Sequence, residues 1–387
     1  MKIADSRLLL ELLAQPTAPF REQRVAALVK QALGQADVPY FIDPIGNIVV
    51  GASSKTDYLR LLRGEGSEPV RVFIAHMDHP GFHGVRWVKP NVLRVQWHGG
   101  SPTKHLQGSR VWLASDEGFE GEGVLRNAKL RKEGWAIDTA EVHFEHAWTA
   151  ARPKAAALHG GFKFRKPVWK SGSRLYTKAA DDLVGVFCIV ATALEAFKKQ
   201  TRPPFIGLLT RAEEVGLVGA VGHFELGWLQ QAKRPVVCVS LEASRTLPGA
   251  VVGKGPIVRL GDRRTPFDAA YSQVLTELAE QVLPKRHQRR IMDGGSCEGS
   301  AATAYGIPTI ALAVPLGNYH NQGLEGGPDC RGHLGPAPEF VHLDDIEGQR
   351  QLCVALMREK LPWADPWRKV RARLKKNHRE YRALLDE

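Results

Sequence analysis

The chain has 387 residues and carries a formal net charge of +12. That length exceeds one typical core and predicts two domains, or one domain with a sizeable insertion. Its five cysteines, Cys188, Cys238, Cys297, Cys330 and Cys353, are scattered and form no C-x-x-C pair, which argues against a disulfide framework or a structural zinc knuckle and predicts a reducing cytoplasm.

The opening MKIADSRLLLELLAQP has no signal-peptide character, because Glu11 breaks its apolar run. Leu8, Leu9, Leu12 and Leu13 instead give a helical stripe. Val25, Leu28, Val29, Ala32 and Leu33 mark a second helix, and IGNIVV (45–50) reads as a turn entering a strand. Val70 to Ala75 is mostly apolar, as expected of a strand covered on both faces. From Val85 to Tyr176 the texture changes to short alternating runs such as VLRVQW and AEVHFEH, punctuated by Gly and Pro, which predicts a small β-domain. An α/β pattern then resumes. DLVGVFCIVATALEAFK (182–198) is apolar nearly all round and predicts a buried helix. PFIGLLT (204–210), PVVCVSL (235–241) and IPTIALAV (307–314) read as core strands, with an amphipathic helix over 267–283. The predicted architecture is a mixed, largely parallel sheet sandwiched by helices. Residues 1–84 and 177–387 would form the α/β body, and 85–176 an inserted β-domain. Trp367, Val370, Leu374, Tyr381 and Leu384 predict a last, basic helix that packs its apolar edge on the body. No segment is apolar for long enough to cross a membrane.

The positive charge is uneven. Between Ala147 and Ala180 there is no acid, while Arg152, Lys154, Lys163, Arg165, Lys166, Lys170, Arg174 and Lys178 are basic. No nucleic-acid motif accompanies this run, so a solvated surface is the plain reading and acidic substrates or polyanion contact the sharper one.

The apolar strands run into polar clusters. Val70–Ala75 meets His76-Met77-Asp78, PFIGLLT meets Glu213-Glu214, PVVCVSL meets Glu242, and IPTIALAV is followed by Tyr319-His320-Asn321. Asp181-Asp182 opens the buried helix. In open α/β sheets, ligands bind beyond the carboxyl ends of the strands, so these clusters are expected to converge. Imidazoles and carboxylates without thiolate suit zinc, cobalt or manganese. So many carboxylates in one site would repel each other unless divalent ions balanced them.

HMDHPGF, KAADDLVGV, TRAEEVGLVGA, VVCVSLEAS and the late YHN together resemble the glutamyl/tetrahedral aminopeptidase family of co-catalytic, di-metal aminopeptidases. The resemblance spans nearly the whole chain, and the long gap between Asp78 and Asp181 matches the β-insertion of that branch. It implies a metal-dependent aminopeptidase acting on peptides, with two divalent ions per chain. By position, Asp181 would bridge the ions through a cis peptide to Asp182. His76 and Glu242 would complete one ligand set, Glu214 and His320 the other. Glu213 would be the general base, and Asp78 would orient His76 by accepting its second N–H. The resemblance also implies a homo-oligomer, a dimer or a dodecamer, with no specific nucleic-acid or membrane partner. An N-acyl-amino-acid deacylase or carboxypeptidase of the same clan, and a non-catalytic basic binding protein that keeps the fold, stay open as alternatives.

Two positions depart from the family pattern: His79 stands where a second acid is usual, and Glu242 where Asp is common. His79 reads either as pocket lining or as an exposed turn residue. His143-Phe144-Glu145-His146 reads as one polar strand face rather than a metal motif. The Gly-rich segment 291–308 reads either as a backbone approach to substrate or as an ordinary turn.

Overall fold

The computed structural model describes residues 6–147, 152–199 and 203–385. An eight-stranded sheet forms the body, in the spatial order Tyr40–Ile42, Ile48–Val50, Phe205–Thr210, Val70–His76, Val236–Arg245, Thr309–Leu316, Ile257–Arg259 and Gln288–Arg290. Its four central strands, Phe205–Thr210 through Thr309–Leu316, are mutually parallel, and antiparallel pairings flank them.

The continuous apolar runs are explained by cover on both faces. Phe73 and Ala75 point into one core, with Leu9, Val29, Leu183, Leu275 and Leu352 from helices. Val72 and Ile74, one residue out of step, point into another, with Tyr58, Leu62, Phe224 and Ala302. A strand with period-two side chains and two dry faces has no polar alternation to show. The helix Leu183–Ala196 lies in the first core and buries residues on every side. Each large apolar side chain buried there contributes about 1.5–3 kcal/mol. The Asp182 side chain caps this helix by accepting from Gly185 N at 3.2 Å.

Six strands, Gly81–Lys89, Val92–His98, Ser109–Ala114, Glu120–Leu130, Ile137–His143 and His159–Phe162, close into a barrel. Alternate residues such as Leu93, Val95 and Trp97 fill its interior with Phe82, Leu125, Val142 and Phe162. His143 faces Glu141 at 3.2 Å on the polar side of this sheet. Strands Val168–Ser171 and Arg174–Thr177 leave the barrel and pair with Glu339–His342 in a separate three-stranded sheet.

The last helix, Arg368–Tyr381, differs from expectation. It buries no residue. Leu374 and Tyr381 are 55% and 57% exposed. The helix is tethered near its start by ion pairs, Lys369 to Glu277 at 2.8 Å and Arg371 to Asp365 at 2.5 Å. Val370 is half-buried beside Gln273 and Thr276, and beyond it the apolar edge, with Leu374, Tyr381 and Leu384, is exposed. Among the described residues, no helix is long and apolar enough to cross a membrane.

Candidate active site

The central strands deliver their polar ends to one place. Thr210 pairs with His76 in register, and Met77 N donates to Thr210 O at 2.9 Å. This sets the His76-Met77-Asp78 turn beside the loop that carries Glu213 and Glu214. Glu242 sits within its strand, paired with Ala313 of the neighbour that leads on to His320.

Asp181 lies at the centre of the cluster. One of its oxygens is 3.6 Å from His76 Nε2, and the other is 3.6 Å from His320 Nε2. His320 Nε2 is also 3.2 Å from Glu214 Oε2. Two sets of ligand-capable atoms result, His76 with Asp181 and Glu242, and Asp181 with Glu214 and His320, each within 4.8 Å of one another. Glu213 forms a third such set with His76 and Glu214, its carboxylate 4.0 Å from His76 Nε2. The peptide joining Asp181 to Asp182 is cis.

These residues fit metal ions on an observation independent of the motif. Asp181 Oδ1, Glu214 Oε1, Glu242 Oε1 and His320 Nε2 are buried and have no hydrogen-bond partner among the described residues. Buried polar atoms are ordinarily satisfied, so four convergent exceptions indicate a missing partner.

The electrostatics agree. Burial lifts Glu242 and Asp78 to about 7 and Glu298 to about 8. Burial, reinforced by Glu214, Glu242 and Asp78, carries Glu213 well above the usual carboxylate range, with only His76 opposing. Burial works against protonated His76, yet the carboxylates of Asp181, Glu213 and Asp78 prevail and raise it well above its ordinary value. His320 rises in the same way through Glu214 and Asp181. Without divalent cations, protons hold this cluster together.

The tautomer of His76 is set locally. Its Nδ1 is 3.1 Å from the backbone oxygen of Asp78. A carbonyl can only accept, so Nδ1 carries a proton, and Nε2 is the nitrogen turned toward Asp181. The expected Asp78 carboxylate contact is longer, at 3.7 Å. That carboxylate instead accepts the backbone N–H of Glu213 at 2.9 Å and of Glu214 at 3.1 Å. Asp78 thus orients His76 through its main chain and fixes the Glu213–Glu214 turn through its side chain.

Other positioning residues had no motif to announce them. Glu339 is fully buried and accepts from Ala180 N at 2.7 Å and from His320 N at 2.9 Å, tying two segments of the cluster together. The signal that could have found it is an acid heading the apolar run EFVHL. Glu22, 1% exposed, accepts from Ala212 N at 3.1 Å and Arg211 Nε at 2.8 Å, and so holds the residue before Glu213 at a φ of 53°. His79 is buried, not an exposed turn residue. Its Nδ1 donates to Asp181 O at 2.8 Å, and burial pulls it down to about 4. The Gly-rich segment leads into the helix Glu298–Ala304, whose Glu298 accepts from the Thr210 hydroxyl. The barrel reaches the site through Gly100: a Cβ there would lie 2.1 Å from His320 Nδ1.

No curated protein matches the chain in sequence. Among solved structures, the TET1 peptidase of Pyrococcus horikoshii, described as able to assemble into a tetrahedron or a large octahedral shell, is 22% identical with a TM-score of 0.70, over 91% of this chain and 98% of that one. An aminopeptidase from the archaeon Desulfurococcus kamchatkensis is 21% identical at 0.71, over 92% and 96%. An M18-family aminopeptidase from Thermotoga maritima is 12% identical at 0.64, over 93% and 99%. These likenesses establish the zinc-exopeptidase-like fold. A sequence profile of the M42 glutamyl aminopeptidase family matches residues 59–324. The chain belongs to the M42 glutamyl aminopeptidase family, and it is an aminopeptidase, a hydrolase of peptide bonds from a metal-dependent lineage.

Proposed function

We propose that the chain removes the N-terminal residue of peptides at a centre of two divalent ions, with zinc the ion its donors suit best and cobalt or manganese the alternatives. The observation that carries this reading is Asp181, whose two oxygens face two different imidazoles. His76 and Glu242 would hold one ion, Glu214 and His320 the other, and Asp181 both. Bound there, the ions would balance the carboxylates, acidify a water and polarise the scissile carbonyl. Glu213, raised by burial and acidic neighbours, takes the proton of the attacking water and passes it to the leaving amine. Asp78 and Glu22 keep that carboxylate in place through its backbone.

Arg259 is 4% exposed, and its charge acts on Glu242. With the basic run before Asp181, it supports a preference for acidic or neutral N-terminal residues. By likeness to the tetrahedral peptidases, the chain assembles into a homo-oligomer, a dimer or a dodecamer, in the cytoplasm. In this reading, residues 85–176 are the inserted unit that governs assembly and substrate access.

The test is hydrolysis of free-amine aminoacyl-anilides against their N-acetylated counterparts by metal-loaded protein. Cleavage confined to free amines and abolished by a chelator is expected. Cleavage of blocked substrates would move the assignment to a deacylase. Faster turnover of Lys- or Arg-anilides than of Glu-, Asp- or Leu-anilides would sink the stated preference.

A further inference from the structure

The acid-free basic stretch supplies none of the ligand-capable groups of the cluster, yet part of it borders a cavity. This cavity, about 400 Å³, lies between the barrel and the end of the first helix, Arg7–Ala14. Trp112, Leu113 and Phe162 of the barrel form one wall, Ala14 and Pro16 another, and residues 163–167 the rim. Its volume and mainly apolar lining are those of small-molecule sites.

One cation lines it from within. Lys178 is 7% exposed. Its ammonium donates to Gln15 O and sits 5.2 Å from the Trp112 ring centroid. An ammonium has three donors. Among the described residues, no carboxylate lies within ion-pair distance of it, and burial alone pulls it down to about 7.

The other charges around the cavity, Lys166 apart, are matched. Glu120 meets Arg24, Glu122 meets Arg110 and Lys163, and Arg165 meets Asp329 at 2.6 Å. Lys166 is exposed at the rim, and His159 behind the wall is held neutral by burial. A buried, unmatched cation is costly unless a counter-charge arrives. A phosphate would need several converging donors, whereas this cavity offers one buried donor group and aromatic walls.

We propose that the cavity is a ligand site, separate from the metal centre, for a small carboxylate with an apolar or aromatic body. The carboxylate meets Lys178, and the body lies against Trp112 and Phe162. The assignment requires nothing of the catalytic reading, so either can fail alone.

Phenylacetate and its uncharged analogue phenylacetamide are the probes, titrated calorimetrically into the assembled, metal-loaded protein. A crystal soaked with 4-bromophenylacetate locates the ligand by bromine anomalous scattering. The acid is expected to bind at least tenfold more tightly than the amide, with bromine beside Trp112. Lys178→Met should remove the difference. Ala14→Phe, which fills the cavity and leaves Lys178 in place, should remove binding altogether. Equal binding of acid and amide overturns the proposal. So does bromine found only at the metal centre, or a cavity covered by a second copy of the chain with no bromine in it.

Discussion

Two buried charge imbalances of opposite sign lie three residues apart on one segment. Around Asp181, carboxylates crowd together with two histidines, and four polar atoms lack partners. Around Lys178, a single ammonium sits against the Trp112 ring, and among the described residues no carboxylate lies within ion-pair distance of it. A folded chain seldom keeps buried charge unmatched, because desolvation costs several kcal/mol per ion. The sign of the surplus then indicates the sign of the missing partner: positive at one site, negative at the other. The two sites also differ in construction. The metal centre draws residues from every central strand, so its geometry is fixed many times over. The Lys178 cavity lies on the seam between barrel and body and depends on fewer contacts.

The largest effect is expected from Glu213→Gln. If Glu213 is the base rather than a ligand, kcat should fall by about 10²–10⁴ while the metal content stays unchanged. Metal content measured beside turnover decides this. Loss of one ion with the activity would place Glu213 among the ligands, as its third grouping with His76 and Glu214 allows.

Metal removal comes next and carries a pH signature. Glu242 and Asp78 sit at about 7 in the fold and Glu298 at about 8, against an unfolded value of about 4. Such groups stabilise the fold while protonated and lose that contribution as pH rises through the folded value. The raised histidines act in the same direction. Asp181, held low mainly by His320 and His76 against the pull of burial, acts oppositely but only below about pH 4. The metal-free protein should therefore lose thermal stability from about pH 5 to about pH 8. Ions displace those protons, so the loaded protein should lose little. A metal-free Tm that holds or rises across that window would remove the charge-surplus argument from the metal centre.

Much of the convergence of His76, Asp181, Glu213, Glu214, Glu242 and His320 was legible in the sequence because strands carry it. An apolar run that ends in His76, or that leads on to Glu213, marks both the strand and its carboxyl end, where α/β sheets bind, and Glu242 falls inside its strand close to that end. Glu339, Glu22 and Gly100 were not legible in this way. Glu339 and Glu22 act by accepting from N–H groups far along the chain, and Gly100 by one close approach, and no local period records such contacts. The reach of Asp78 was misjudged for a related reason: its spacing from His76 fits either oxygen, and only the folded turn chooses the carbonyl. The last helix shows the converse. Its apolar stripe is plain in the sequence, but a stripe shows only that a face could be buried, not what would cover it.

Those unannounced contacts give the third prediction. Glu339→Gln keeps size but weakens the acceptor shared by Ala180, Asp181 and His320. Gly100→Ala pushes a methyl into His320 from the barrel side. Each should cost about 10–100-fold in metal affinity, read by competition with a chelator. An unchanged affinity in Gly100→Ala would mean that the barrel contributes nothing to the catalytic geometry.

The smallest effect belongs to the Lys178 side. An unmatched buried charge should burden the ligand-free fold, so Lys178→Met should stabilise it, by about 1 kcal/mol once the lost bond to Gln15 O and the Trp112 contact are offset. The matched experiment at the other site is Glu242→Gln in the metal-free protein. It removes one of the crowded carboxyls and should stabilise that form above pH 7 while reducing metal binding. If both substitutions stabilise the ligand-free chain and both weaken the corresponding ligand, the two sites share one logic with opposite signs. If Lys178→Met destabilises, the ammonium is a strut between helix and barrel that already has the partners it needs, and the surplus at Asp181 stands alone.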